Sequence, residues 1–196
     1  MAFLAGGTDI CGYFRLHYLF VSFMSGNTTI LAFALGHGNM ARVGTAAGLV
    51  GLFVGGAVLG TILAVFCGRR HVSVVTFAVA ILLLAAASSA TVTVPLLALA
   101  MGALNSAMHR AGAAGVSLTY VTGALVKFAQ GLGHVLSGRA SDPNWRLQGV
   151  LWMALLLGAV TATLELRWLP GDVLFWLAFL ALMIAGASAL WPGQAS

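Results

Sequence analysis

Apolar residues run along this chain in long unbroken blocks, without the period-two alternation of a strand, and short polar clusters separate the blocks. The blocks are about 18–24 residues long, close to the ~20 that a helix needs to cross a hydrocarbon core. The pattern predicts six spans, over 2–36, 43–67, 72–90, 95–137, 148–166 and 173–191. The first and fourth are too long for one straight crossing, and each is either one interrupted span or two shorter ones, which would give up to eight segments. The first is expected to break at the cluster Ser25-Gly26-Asn27-Thr28-Thr29 and the fourth between Arg110 and Thr122. In lipid every backbone polar group must be satisfied internally, so the spans are helices. The expected fold is all-α, a single polytopic transmembrane domain over 1–196.

Composition supports this reading. The chain is 61% hydrophobic, only 7% charged, and has a mean hydropathy of +1.03. A soluble domain is about 25% charged, so lipid is the expected partner of most of this surface. The net charge is +5, but the basic residues are scattered and form no stripe, so nucleic acid is not expected. Lys and Arg accumulate on cytoplasmic loops. Arg69 and Arg70 share one side with Arg139 and Arg146, against Arg42 and Arg167 on the other. Both termini are therefore predicted cytoplasmic, in the inner membrane. Met1-Ala2-Phe3-Leu4 lacks the basic start of a signal peptide and reads as the beginning of the first span.

Chemistry of the enzymatic kind leaves no trace. No nucleophile elbow, phosphate loop or dinucleotide fingerprint is present, and His17, His37, His71, His109 and His134 lack metal-ligand spacing. No enzyme, cofactor or metal is expected. Cys11 and Cys67 read as small buried apolar residues.

The two long units resemble each other. Asp9 precedes Gly26 by seventeen residues, Asn105 precedes Gly123 by eighteen, and two plain spans follow each unit. Three crossings per half give halves of opposite orientation, about 1–92 and 93–196, the inverted-repeat plan of many secondary transporters. The second span also carries Gly44, Gly48, Gly51, Gly55, Gly56 and Gly60. Such spacing brings helices close together, either within one chain or across a homodimer.

The segment from Gly7-Thr8-Asp9 to Ser22-Phe23-Met24-Ser25-Gly26-Asn27-Thr28 resembles the first signature of the YoaK-like family of bacterial membrane proteins. Ala100-Met101-Gly102-Ala103-Leu104-Asn105, with Thr119-Tyr120-Val121-Thr122-Gly123, resembles its second. Family members carry Gln where this chain has Leu104, and Thr where it has Ser25. The resemblance covers the whole chain and implies a membrane protein of a family catalogued as a domain of unknown function, with permease the working presumption.

An ionisable residue inside a membrane is a functional-site hypothesis by default. Asp9 lies about 12 Å along the first helix and Asn105 about 15 Å beyond Pro95. They are expected to meet at mid-membrane, as a substrate or proton site or as a structural pin. Arg15 and Arg110 are expected either to pair with them or to reach an interface. Ser25, Gly26, Asn27 and Thr28, with Thr119, Thr122 and Gly123, are expected to supply unwound backbone and hydroxyls to the site. The function expected is a small secondary transporter for an unidentified polar or anionic solute, with proton coupling through Asp9. The alternative is a membrane scaffold that associates through the glycine face.

Overall fold

A computed structural model describes residues 1–16, 18–89, 91–111, 121–168 and 173–190, with only the backbone of 109–111. Among them every regular element is helical: α1 (Ala2–Arg15), α2 (Met24–Gly36), α3 (Met40–Cys67), a 3-10 turn (Gly68–Arg70), α4 (His71–Ala87), α5 (Thr93–Ala111), α6 (Val121–Leu136), α7 (Trp145–Trp168) and α8 (Val173–Leu190). Met40–Ala87, Trp145–Trp168 and Val173–Leu190 are long and apolar enough to cross a membrane. The 28 residues of α3 extend about 42 Å.

Large apolar side chains face outward as well as inward. Phe66 is 84% exposed and Phe179 63%, and Val54, Val58 and Ile62 form an outward row on α3. Large apolar groups at these positions would cost solubility in water, whereas in lipid they meet like surroundings. The chain is a helical membrane protein.

Small residues build the interior. α3 packs closely on α5, and α1 on α7. A Cβ on Gly6 would collide with the Leu155 carbonyl, and one on Gly102 with the Phe53 carbonyl. Likewise a Cβ on Gly56 would strike the Leu99 carbonyl, and one on Gly158 that of Phe3. The four contacts form two matched sets. A shift of 96 residues carries Phe3 and Gly6 of α1 to Leu99 and Gly102 of α5. A shift of 102 carries Phe53 and Gly56 of α3 to Leu155 and Gly158 of α7.

The turns that follow α2 and α6 also match. Gly38 and Gly138 take the left-handed backbone, with φ of 68° and 67°. The Gly38 and Asn39 N–H groups donate to the Leu35 and Ala34 carbonyls at 3.1 and 3.0 Å. Gly138 and Arg139 donate to Val135 and His134 at 3.1 and 2.9 Å. Both are the six-to-one and five-to-two pattern of a glycine C-cap.

The first break lies earlier than the sequence suggests. α1 ends at Arg15 and α2 resumes at Met24, so the described residues between them, 16 and 18–23, are not helical, and Ser25 to Thr29 sit in the first turns of α2. The polar cluster does not unwind because its side chains bond locally: Thr28 Oγ1 donates to the Met24 carbonyl at 2.8 Å and Thr29 Oγ1 to Ser25 at 3.1 Å. Gly26 and Gly123 are each the third residue of a helix, not points of departure from one. The fourth span is described up to Ala111 and again from Val121, so the place expected for its break lies outside the described residues.

Candidate functional site

The reversal between α1 and α2 is mostly apolar and needs help to leave the helix. Tyr18 adopts a φ of 77°, unusual for a residue with a Cβ. Three devices hold the chain there. Val21 is fully buried against Gly12, where a Cβ would collide with its side chain. Asn27 is fully buried and reaches back to Phe20, whose N–H donates to Oδ1 at 3.0 Å while Nδ2 donates to its carbonyl at 2.5 Å. Asp9 supplies the third. Its Oδ1 accepts from the N–H groups of Val21 and Ser22 at 2.9 and 2.7 Å, and its Oδ2 from the Ser22 hydroxyl at 2.5 Å.

Beside this reversal is a cavity of about 300 Å³. Its walls are Gly6, Asp9 and Ile10 of α1, Phe20, Ser22 and Phe23 of the reversal, Val121 and Thr122 of α6, and Leu155 and Ala159 of α7. The lining is apolar apart from one carboxylate and two hydroxyls, the common composition of a small-molecule site. Asp9 thus has one face on the backbone of the reversal and another on the cavity.

The sequence-predicted residues divide. Asp9 and Thr122 line the cavity, with Gly123 buried one residue further along α6. Asn27 stands behind the wall as the staple of Phe20, and Gly26 lies against the Phe23 ring. Ser25 and Thr28 are exposed on α2 and outside the wall. Asn105 is half-buried on α5 and is not part of this wall, although the 96-residue shift carries Asp9 onto its position. Arg15 is exposed, and its Nη1 donates to Thr93 Oγ1 at 2.6 Å, which ties the end of α1 to the start of α5. Arg110 lies in the last turn of α5 with its side chain outside the described residues, as is Thr119 altogether. Ser22 was missed. Its signal was weak, a lone serine in a run of aromatic and apolar residues.

The glycine row of α3 is split. Gly56 and Gly60 pack against α5, while Gly44, Gly48 and Gly51 have nothing within 4 Å of a would-be Cβ.

The chain is similar to known proteins over most of its length. The family described as "Protein of unknown function (DUF1275)" matches residues 1–188. A UPF0700 transmembrane protein of Rhizobium meliloti (strain 1021) is 35% identical over 191 residues, which cover 96% of this chain and 83% of the relative. No solved structure matches the chain.

Proposed function

The chain belongs to the DUF1275 family, and from that premise we infer that it is a small secondary transporter of the inner membrane, with six crossings and both termini cytoplasmic. Its cargo is a small polar or anionic solute, and a proton is the coupling ion. The observation that carries the reading is the double engagement of Asp9, which lines the cavity and holds the broken segment beside it.

The chemistry follows from the hydrogen bonds. A carboxylate accepts at about four lone-pair sites, but a carboxylic acid gives one oxygen over to donation. Loading a proton on Asp9 therefore turns the Ser22 hydroxyl from donor to acceptor and weakens the hold on the Val21 and Ser22 N–H groups, since bonds to a charged acceptor are the stronger ones. The reversal carries Phe20, Ser22 and Phe23, all in the wall. Proton loading and the shape of the cavity are thereby coupled through one side chain.

The matched glycine contacts and matched C-caps support two equivalent halves, and the Arg15–Thr93 bond supports opposite directions for α1 and α5. That is the plan on which alternating-access transporters rock one half against the other. A second reading, association through α3, is favoured by the outward position of Gly44, Gly48 and Gly51.

The transport reading is tested by solid-supported-membrane recording on reconstituted protein, screened with amino acids, small carboxylates and inorganic anions. At least one solute is expected to evoke a transient current that an opposing pH gradient reduces. Silence across the panel, from protein shown to be folded and inserted, would remove transport and leave the association reading.

A further inference from the structure

Beyond Thr122, the polar side chains of α6 share one face. Lys127, Gln130 and His134 follow at helical spacing and line a second cavity, of about 220 Å³, closed on the other side by Asp142, Trp145 and Gln148. In a chain with 7% charged residues, this gathers a cation and an anion around one space. Among the described residues neither Lys127 nor Asp142 has an ion-pair partner. Asp142 Oδ1 accepts from the Asn144 N–H at 2.8 Å, which leaves its second oxygen to accept from elsewhere.

Gln148 adds a neutral polar group to the same wall. It is only 4% exposed and lines this cavity, where its amide presents both a donor and an acceptor. The wall is also held in place. Gly131 lets the Trp145 indole lie directly on α6, and the Phe128 ring packs on Trp145 at 5.5 Å. Trp145 opens α7, and Trp residues concentrate at the depth of lipid headgroups.

A metal is a poor fit, since no group of three His, Cys, Asp or Glu comes together among the described residues. The geometry points to a binding site between α6 and the start of α7 for a phosphate-ammonium zwitterion of the ethanolamine type. Its anionic end sits at Lys127 and the Gln148 amide, and its ammonium at Asp142. A primary ammonium has N–H donors for the free carboxylate oxygen, and a quaternary one has none. This chemistry reaches the site either as a phospholipid headgroup or as a soluble solute.

Two probes separate the sources. In the first, purified protein is released from nanodiscs containing equal phosphatidylethanolamine and phosphatidylcholine, and retained lipid is read by native mass spectrometry. In the second, free glycerophosphoethanolamine is titrated calorimetrically in detergent. Retention of phosphatidylethanolamine alone, lowered about tenfold by Lys127→Met and by Asp142→Asn, establishes the headgroup. Calorimetric binding of the free compound, weakened to the same extent by the same variants, establishes the soluble source. Both residues are exposed, and each replacement keeps the shape of the side chain, so the variants are expected to fold. Binding of neither probe, equal retention of phosphatidylcholine, or variants that bind as the wild type does would each overturn the site. The assay reads binding without transport, so its failure leaves the Asp9 reading standing, and the reverse holds as well.

Discussion

Asp9 and Ser22 are bonded twice: the Ser22 N–H donates to Oδ1 at 2.7 Å and its hydroxyl to Oδ2 at 2.5 Å. A helical carboxylate thus fixes the backbone of the segment that leaves the helix. Ser22→Ala removes one of the two bonds and spares the backbone donor. It is expected to cost about 1.5–3 kcal/mol, the worth of a bond to a charged group. Thermal unfolding in detergent measures it, and the accompanying change in any solute current shows whether the hydroxyl also serves the cavity.

Asn27 gives a sharper contrast. Its amide accepts from and donates to the same residue, Phe20. Asn27→Asp keeps the acceptor but sets a second oxygen against the Phe20 carbonyl, so it is expected to destabilise by about 2–4 kcal/mol, no less than Asn27→Ala. Equal stability of wild type and Asn27→Asp would show that the staple is not formed.

The glycines discriminate between internal and outward faces. Gly6→Ala and Gly102→Ala each drive a Cβ into a carbonyl, and each is expected to cost about 3 kcal/mol. Similar losses would agree with two equivalent halves. Gly48→Ala meets nothing within 4 Å and is expected to lie within about 0.5 kcal/mol of wild type in the monomer.

Orientation is open to chemical labelling. On a background without Cys11 and Cys67, a cysteine at Arg70 or at Arg139 is expected to resist an impermeant thiol reagent in intact cells and to react once the membrane is opened. Ready reaction from outside would reverse the assignment.

The class of fold was legible because apolar blocks of membrane-spanning length admit few alternatives. The first break was legible as an event but not in place. Ser25 to Thr29 looked unwound because these residue types favour turns, yet the Thr28 and Thr29 hydroxyls found partners one turn back along α2. The stretch that does turn back, Tyr18 to Phe23, is apolar and aromatic apart from Ser22, and its departure from helix depends on Gly12, Asp9 and Asn27 meeting it from outside. Asp9 was readable as costly and therefore meaningful. Its partner was not readable, because backbone N–H groups carry no sequence signal and become donors only where a chain turns. Arg15 was open to two roles, and its bond to Thr93 depends on which helix ends adjoin.

The central claim is that the protonation of Asp9 drives transport, and Asp9→Asn tests it most directly. Asparagine keeps an acceptor for the Val21 and Ser22 N–H groups, and the Ser22 hydroxyl can turn to accept from the new amide, so the fold is expected to survive. In proteoliposomes loaded with the solute identified by screening, an imposed pH gradient is expected to drive accumulation by the wild type. Asp9→Asn is expected to show none while still exchanging solute across equal pH. Gradient-driven accumulation by Asp9→Asn at the wild-type rate would contradict the account.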